Sequence, residues 1–146
     1  MLISISVFGQ NSEPSKEKTQ DWIKSVVQTY GTGELKFEDD KIIYDDPYDP
    51  TGFHLKQEAI IKNLGGVMIS GGTKGYKAVY ISCSEGKCVT IGMKIQGESG
   101  EMDYMKTNKF SIQLNGDLSK DLEGRLIKAI NHLIKLAGGH TIDDTF

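Results

Sequence analysis

Arginine is nearly absent. Of 17 basic residues in the 146-residue chain only Arg125 is an arginine, and 20 acidic residues leave a net charge of −3. Nucleic-acid binders concentrate positive charge and set arginine forks on phosphate and guanine. This balance therefore argues against a nucleic-acid partner, and for the same reason against anionic membrane surfaces. No apolar run approaches the roughly 18 residues of a bilayer span, so no stable membrane insertion is expected. With 3 histidines and 2 cysteines, and no histidine at ligand spacing from a cysteine, no metal and no cofactor is expected.

What remains is an ordinary globular balance, with 38% hydrophobic and 25% charged residues. A chain of this length is one domain's worth and buries about two-thirds of its unfolded surface. It shows no repeat, low-complexity tract or linker. The reading divides it into residues 1–10, a single domain over 11–138 and a polar tail over 139–146.

Residues 1–10 are apolar and uncharged, whereas 11–19 turn sharply polar. This is the pattern of the back half of a secretory signal peptide without its basic front. The Phe8-Gly9-Gln10 ending resembles the cleavage-site region of exported Bacteroidetes proteins, which implies a periplasmic or secreted location. The alternative is an edge strand or a disordered N-terminus, with Leu2, Ile3, Ile5, Val7 and Phe8 suited to a strand.

Cys83 and Cys88 bear on the same question, because closely spaced cysteines often pair in an oxidising compartment. They flank Glu85-Gly86, a turn signal between two β-rich runs. A two-residue loop sets Cys83 opposite Cys88 at a separation a disulfide tolerates. A three-residue loop with Gly86 in a G1 bulge aligns Val79 and Ile81 with Val89 and Ile91 on one face, but separates the cysteines. The spacing favours the first register and the apolar pattern the second; a Cys83–Cys88 disulfide is expected.

Trp22, Ile23, Val26, Val27 and Tyr30 form one helical stripe over 15–30, capped by Ser12 or Ser15 and ended by Gly31 and Gly33. Short strands follow at 34–38, 41–45, 53–58, 67–70, 76–83, 87–96 and 109–114. The second and third of these flank a proline-containing loop, 59–64 is either strand or helical turn, 76–96 is a hairpin, and 97–107 is a polar loop. Residues 119–137 carry the widest apolar stripe (Leu122, Leu126, Ala129, Ile130, Leu133, Leu136, Ala137), with Asp117 or Ser119 at the start and Gly138-Gly139 at the end. Strands grouped together with helices at the chain ends predict an α+β fold, not α/β.

About seven antiparallel strands in a bent sheet or partly open barrel, closed by a C-terminal amphipathic helix, resemble the pleckstrin-homology-like fold. The stretches 79–89 and 126–136 resemble those of small exported Bacteroidetes proteins of uncharacterised function. The resemblance brings no catalytic residues. It does not imply phosphoinositide binding either, since the first hairpin loop is Glu38-Asp39-Asp40-Lys41 and would repel phosphate.

The densest charged feature is Asp39, Asp40, Asp45, Asp46 and Asp49. Its spacing does not fit a calcium loop. Tyr44, Tyr48, Phe53, Tyr76, Tyr80 and Tyr104 suit a wet binding surface or simply strands. The best candidate contact residues are Tyr44, Asp46, Tyr48, Asp49 and His54. The leading expectation is an exported, non-enzymatic binding module for an unknown protein or small-molecule partner, using an exposed strand edge or the open end of a barrel. The alternatives are a small hydrolase or metal-dependent enzyme built on the acidic loop and His54, and a cytoplasmic toxin-neutralising partner.

Overall fold

The computed structural model describes residues 14–71 and 75–141. The expected leader over 1–10, the Ser12 cap and the last residues of the tail lie outside them. Helix α1 (Lys16–Tyr30) starts at Ser15, whose hydroxyl accepts from Lys18 N at 3.2 Å. It buries Thr19, Ile23, Val26 and Val27, while Trp22 sits half-exposed beside that stripe. Helix α2 (Lys120–Leu136) starts at Ser119, whose hydroxyl accepts from Leu122 N at 3.1 Å. It ends in a Schellman turn: Gly138 has φ +94°, Gly138 N donates to Lys135 O, and Gly139 N donates to Ile134 O. The left-handed φ explains the glycine at 138. Each fully buried Leu or Ile on the α2 stripe contributes about 2 kcal/mol by leaving water.

Between the helices run eight strands: β1 (Glu34–Glu38), β2 (Lys41–Asp46), β3 (Phe53–Ile60), β4 (Leu64–Gly71), β5 (Lys77–Cys83), β6 (Val89–Ile95), β7 (Asp103–Thr107) and β8 (Lys109–Leu114). They form two antiparallel sheets, a five-stranded one in the order β1-β2-β3-β6-β7 and a three-stranded one in the order β4-β5-β8. The α+β expectation holds. Two expectations do not. The polar loop over 97–107 contains an eighth strand, β7, recruited by pairing with β6 although its own sequence is not apolar. Residues 76–96 are not a hairpin. β5 pairs with β4 and β8, and β6 pairs with β3 and β7. Each strand has both edges occupied, so neither hairpin register forms.

The disulfide exists without the hairpin. Cys83 and Cys88 are bonded, with Cα atoms 5.7 Å apart, across the passage from one sheet to the other. Gly86 at φ +62° makes the turn. The ambiguous 59–64 segment is strand to Ile60 and then a 3₁₀ turn, Ile61–Asn63; it too is a passage between sheets. The third passage is the single residue Asn108. All three meet at one corner: Ser84 N donates to Asn63 O and Cys83 N to Asn108 O, each at 2.9 Å.

A second tie joins the sheets. Gln57 of β3, 1% exposed, donates its amide to Ser111 O at 2.8 Å and accepts from Ser111 N at 2.7 Å. A side-chain amide thereby does for β8 what a neighbouring strand's peptide would do. The core between sheets and helices includes Tyr44, Val79, Ile81, Val89, Phe110, Ile112 and Leu114.

Candidate functional site

The proposed contact segment divides into an inside and an outside. Asp46 ends β2 facing inward, fully buried. Its Oδ2 accepts from the Thr32 hydroxyl and, at 3.2 Å, from the Tyr44 hydroxyl; its Oδ1 accepts from Tyr48 N at 3.2 Å. Burial raises its pKa above the ordinary carboxylate value, and the three donors oppose that rise only in part. Burial and the adjacent Asp46 carboxylate push the Tyr44 phenol upward as well. Gly33 must be glycine here, because a Cβ would lie 2.7 Å from Asp46 Cβ and 2.8 Å from the Tyr44 ring. The pair thus straps the α1–β1 connection onto β2.

Asp49 is buried and turns on its own loop. Its Oδ2 accepts from Thr51 N at 2.9 Å and from the Thr51 hydroxyl. Tyr44, Asp46 and Asp49 therefore spend their polar atoms on internal bonds. Tyr48 is 75% exposed. His54 faces the opposite side of the sheet, with Nε2 2.7 Å from Asp45 Oδ1. The structure does not bring the five residues to one surface. Among the described residues no group of three or more His, Cys, Asp or Glu is placed to hold a metal, and no helix is long and apolar enough to cross a membrane.

A concave feature with apolar lining lies elsewhere, between the two helices. A cleft of about 530 Å³ is lined by Pro14, Lys18, Thr19 and Trp22 from the α1 side and by Arg125, Lys128, Ala129 and His132 from α2. The chain's single tryptophan carries its single arginine: the Arg125 guanidinium lies 5.3 Å from the centre of the Trp22 ring, a cation–π contact. His132 Nε2 donates to Pro14 O at 2.9 Å and ties the entry of α1 to α2. None of the lining residues among those described is acidic.

Sequence reading missed this cleft. Its signal was present in halves, since Pro14, Lys18 and Trp22 recur every four residues, as do Arg125, Ala129 and, after three more, His132. Nothing local says that the two helices are neighbours. No family model, curated protein or solved structure matches the chain.

Proposed function

We propose that the protein is an exported, non-enzymatic binding module whose ligand site is the cleft between α1 and α2. One observation carries the reading: the Trp22–Arg125 stack lines a concavity together with apolar Pro14 and Ala129 and basic Lys18 and Lys128, with no acid in its described lining. Sites for small ligands combine a mostly apolar wall with a few placed polar groups, in volumes of about 300–1,000 Å³. In a chain of net charge −3 a locally cationic cleft selects an anion. The ligand class is therefore an amphipathic anion, an apolar or aromatic body carrying a carboxylate or sulfonate.

Trp22 is its own reporter, being the only tryptophan. Titration with an anionic naphthalene sulfonate should change its fluorescence saturably, and Arg125→Ala should weaken binding about ten-fold, the loss of one charge-assisted contact. An unchanged Trp22 signal, or equal affinity in the Arg125→Ala variant, would remove the cleft as the site.

The export reading is supported by the Cys83–Cys88 bond and by the apolar start of the sequence. Intact mass of the natively expressed chain tests it, with cleavage near residue 10 expected. Antiparallel strands followed by an amphipathic C-terminal helix support the pleckstrin-homology-like assignment as a layout. A hydrolase reading has one observation in its favour, the 2.7 Å His54–Asp45 pair. No hydroxyl or thiol among the described residues hydrogen-bonds to His54, and a nucleophile would have to be supplied there.

A further inference from the structure

The two outer strands of the five-stranded sheet end it differently. β1 presents Glu34, Lys36 and Glu38, all exposed, and Leu35 is buried. Charge on an edge strand is a common protection against pairing with another chain. β7 at the opposite edge pairs only with β6 among the described residues, and presents Tyr104 at 61% and Met105 at 58% exposure. Further along β6 from Ile91, the residue opposite Met105, Ile95 is 53% exposed on the inward face. This edge has an open row of backbone groups and apolar side chains on both faces.

We propose that β7 pairs antiparallel with β7 of a second copy of this chain, about a two-fold axis at Met105, to make one continuous ten-stranded sheet. The sequence of β7 is self-complementary in that register. Asp103 stands opposite Thr107 of the second copy, Tyr104 opposite Lys106, and Met105 opposite Met105, using the whole strand. Opposed residues share a face. The inward row then reads Gln57, Ile91, Met105, Met105, Ile91, Gln57 across the junction. On the outer face each Lys106 meets the ring of a Tyr104, whose other side already covers Gly92.

Neighbouring registers are worse. An axis at Lys106 sets two ammonium groups opposite each other. An axis at Tyr104 sets the Asp103 carboxylate against Met105. Any register offset by one residue joins the apolar inner face of one copy to the charged outer face of the other. A two-fold pairing of identical edges also closes the assembly at two copies, since each copy then offers only the charged β1 as the outer edge of this sheet. The inference is independent of the helix cleft, which lies between the two helices and not at this edge.

Cross-linking reads the register directly. Cys83 and Cys88 are bonded to each other, so an engineered cysteine in the full chain is the free thiol. Met105→Cys should oxidise to a covalent dimer. Tyr104→Cys and Lys106→Cys should each fail alone and cross-link when mixed, because they face one another and not themselves. Lys36→Cys on β1 is the control and should react at least about ten-fold more slowly, lacking the effective concentration of a formed interface. In sedimentation velocity the unmodified protein should dissociate on dilution. Met105→Lys should be monomeric at concentrations where the parent is dimeric, with an unchanged circular dichroism spectrum. A parent that stays monomeric up to about 1 mM, or a Lys36→Cys variant that cross-links as fast as Met105→Cys, overturns the proposal. So does self-cross-linking of Tyr104→Cys at the rate of Met105→Cys.

Discussion

The five-stranded sheet is finished at one end and unfinished at the other. At the corner where β3, β5 and β7 hand the chain to β4, β6 and β8, a disulfide and several backbone bonds hold three passages together. The residues facing inward there, Ala59 and Val89, are buried. At the far end of the same strands, Phe53 and Ile95 face each other in register and are both exposed. The same two strands thus pass from closed core to open surface within seven residue pairs. Stability is concentrated where the sheets join, and recognition is free to use the edges and ends where they do not. Loss of contacts at the corner should therefore cost folding free energy, whereas substitutions at the open edge should cost association only.

Gln57 offers the hardest break of that contrast. Gln57→Leu keeps the volume but leaves the Ser111 N–H and C=O without their partners beside the core, and should cost about 3 kcal/mol in urea unfolding. Replacing Cys83 and Cys88 together by Ser removes the staple from the corner. The loop it closes is short, so the loss should be smaller, about 2 kcal/mol, seen as a lower Tm and reproduced by reduction of the parent.

Asp46 sharpens the picture from the far end, where it is a buried carboxylate. Its pKa in the folded protein lies above the unfolded value, so the folded state takes up its proton first as pH falls. Its favourable contribution is complete below the ordinary value of 3.8 and is lost as pH rises through the folded pKa. The stability of the parent relative to Asp46→Asn should therefore increase as pH is lowered from neutrality and level off below that value, measured by urea midpoints across the range. The smallest effect belongs to the open edge. Met105→Lys should change monomer unfolding by less than about 0.5 kcal/mol, and an equal loss at Met105 and Gln57 would abolish the distinction between the sheet interior and its β7 edge.

Much of the fold was legible because its signals are local. The stripes of α1 and α2, the serine caps, the glycine pair after α2 and the alternation in β1 and β8 are short-range patterns. β7 was illegible because Asp103, Tyr104, Met105, Lys106 and Thr107 carry no alternation, and only the free edge of β6 makes them a strand. The hairpin expected over 76–96 failed for a related reason. Glu85-Gly86 turns the chain as expected, but a turn does not say which strand lies alongside. Of the candidate contact residues, Asp46 and Asp49 read as an exposed acidic loop because carboxylates favour turns and solvent. Their burial depends on Thr32 and Thr51 donating to them. The cleft was illegible for want of one fact, that residue 22 and residue 125 are neighbours.

The sequence by itself determined the class of fold, the two helices and their ends and most of the strands. Each of these rests on periodicity, capping or proximity along the chain, and the energies involved act over a few residues. Only the tertiary structure decided the rest. It set the division into two sheets, the corner that the disulfide holds, the burial of Tyr44 and Asp46, the Trp22–Arg125 cleft and the unprotected edge of β7. These depend on which surfaces meet after collapse, where buried area and the satisfaction of polar groups outweigh any local preference.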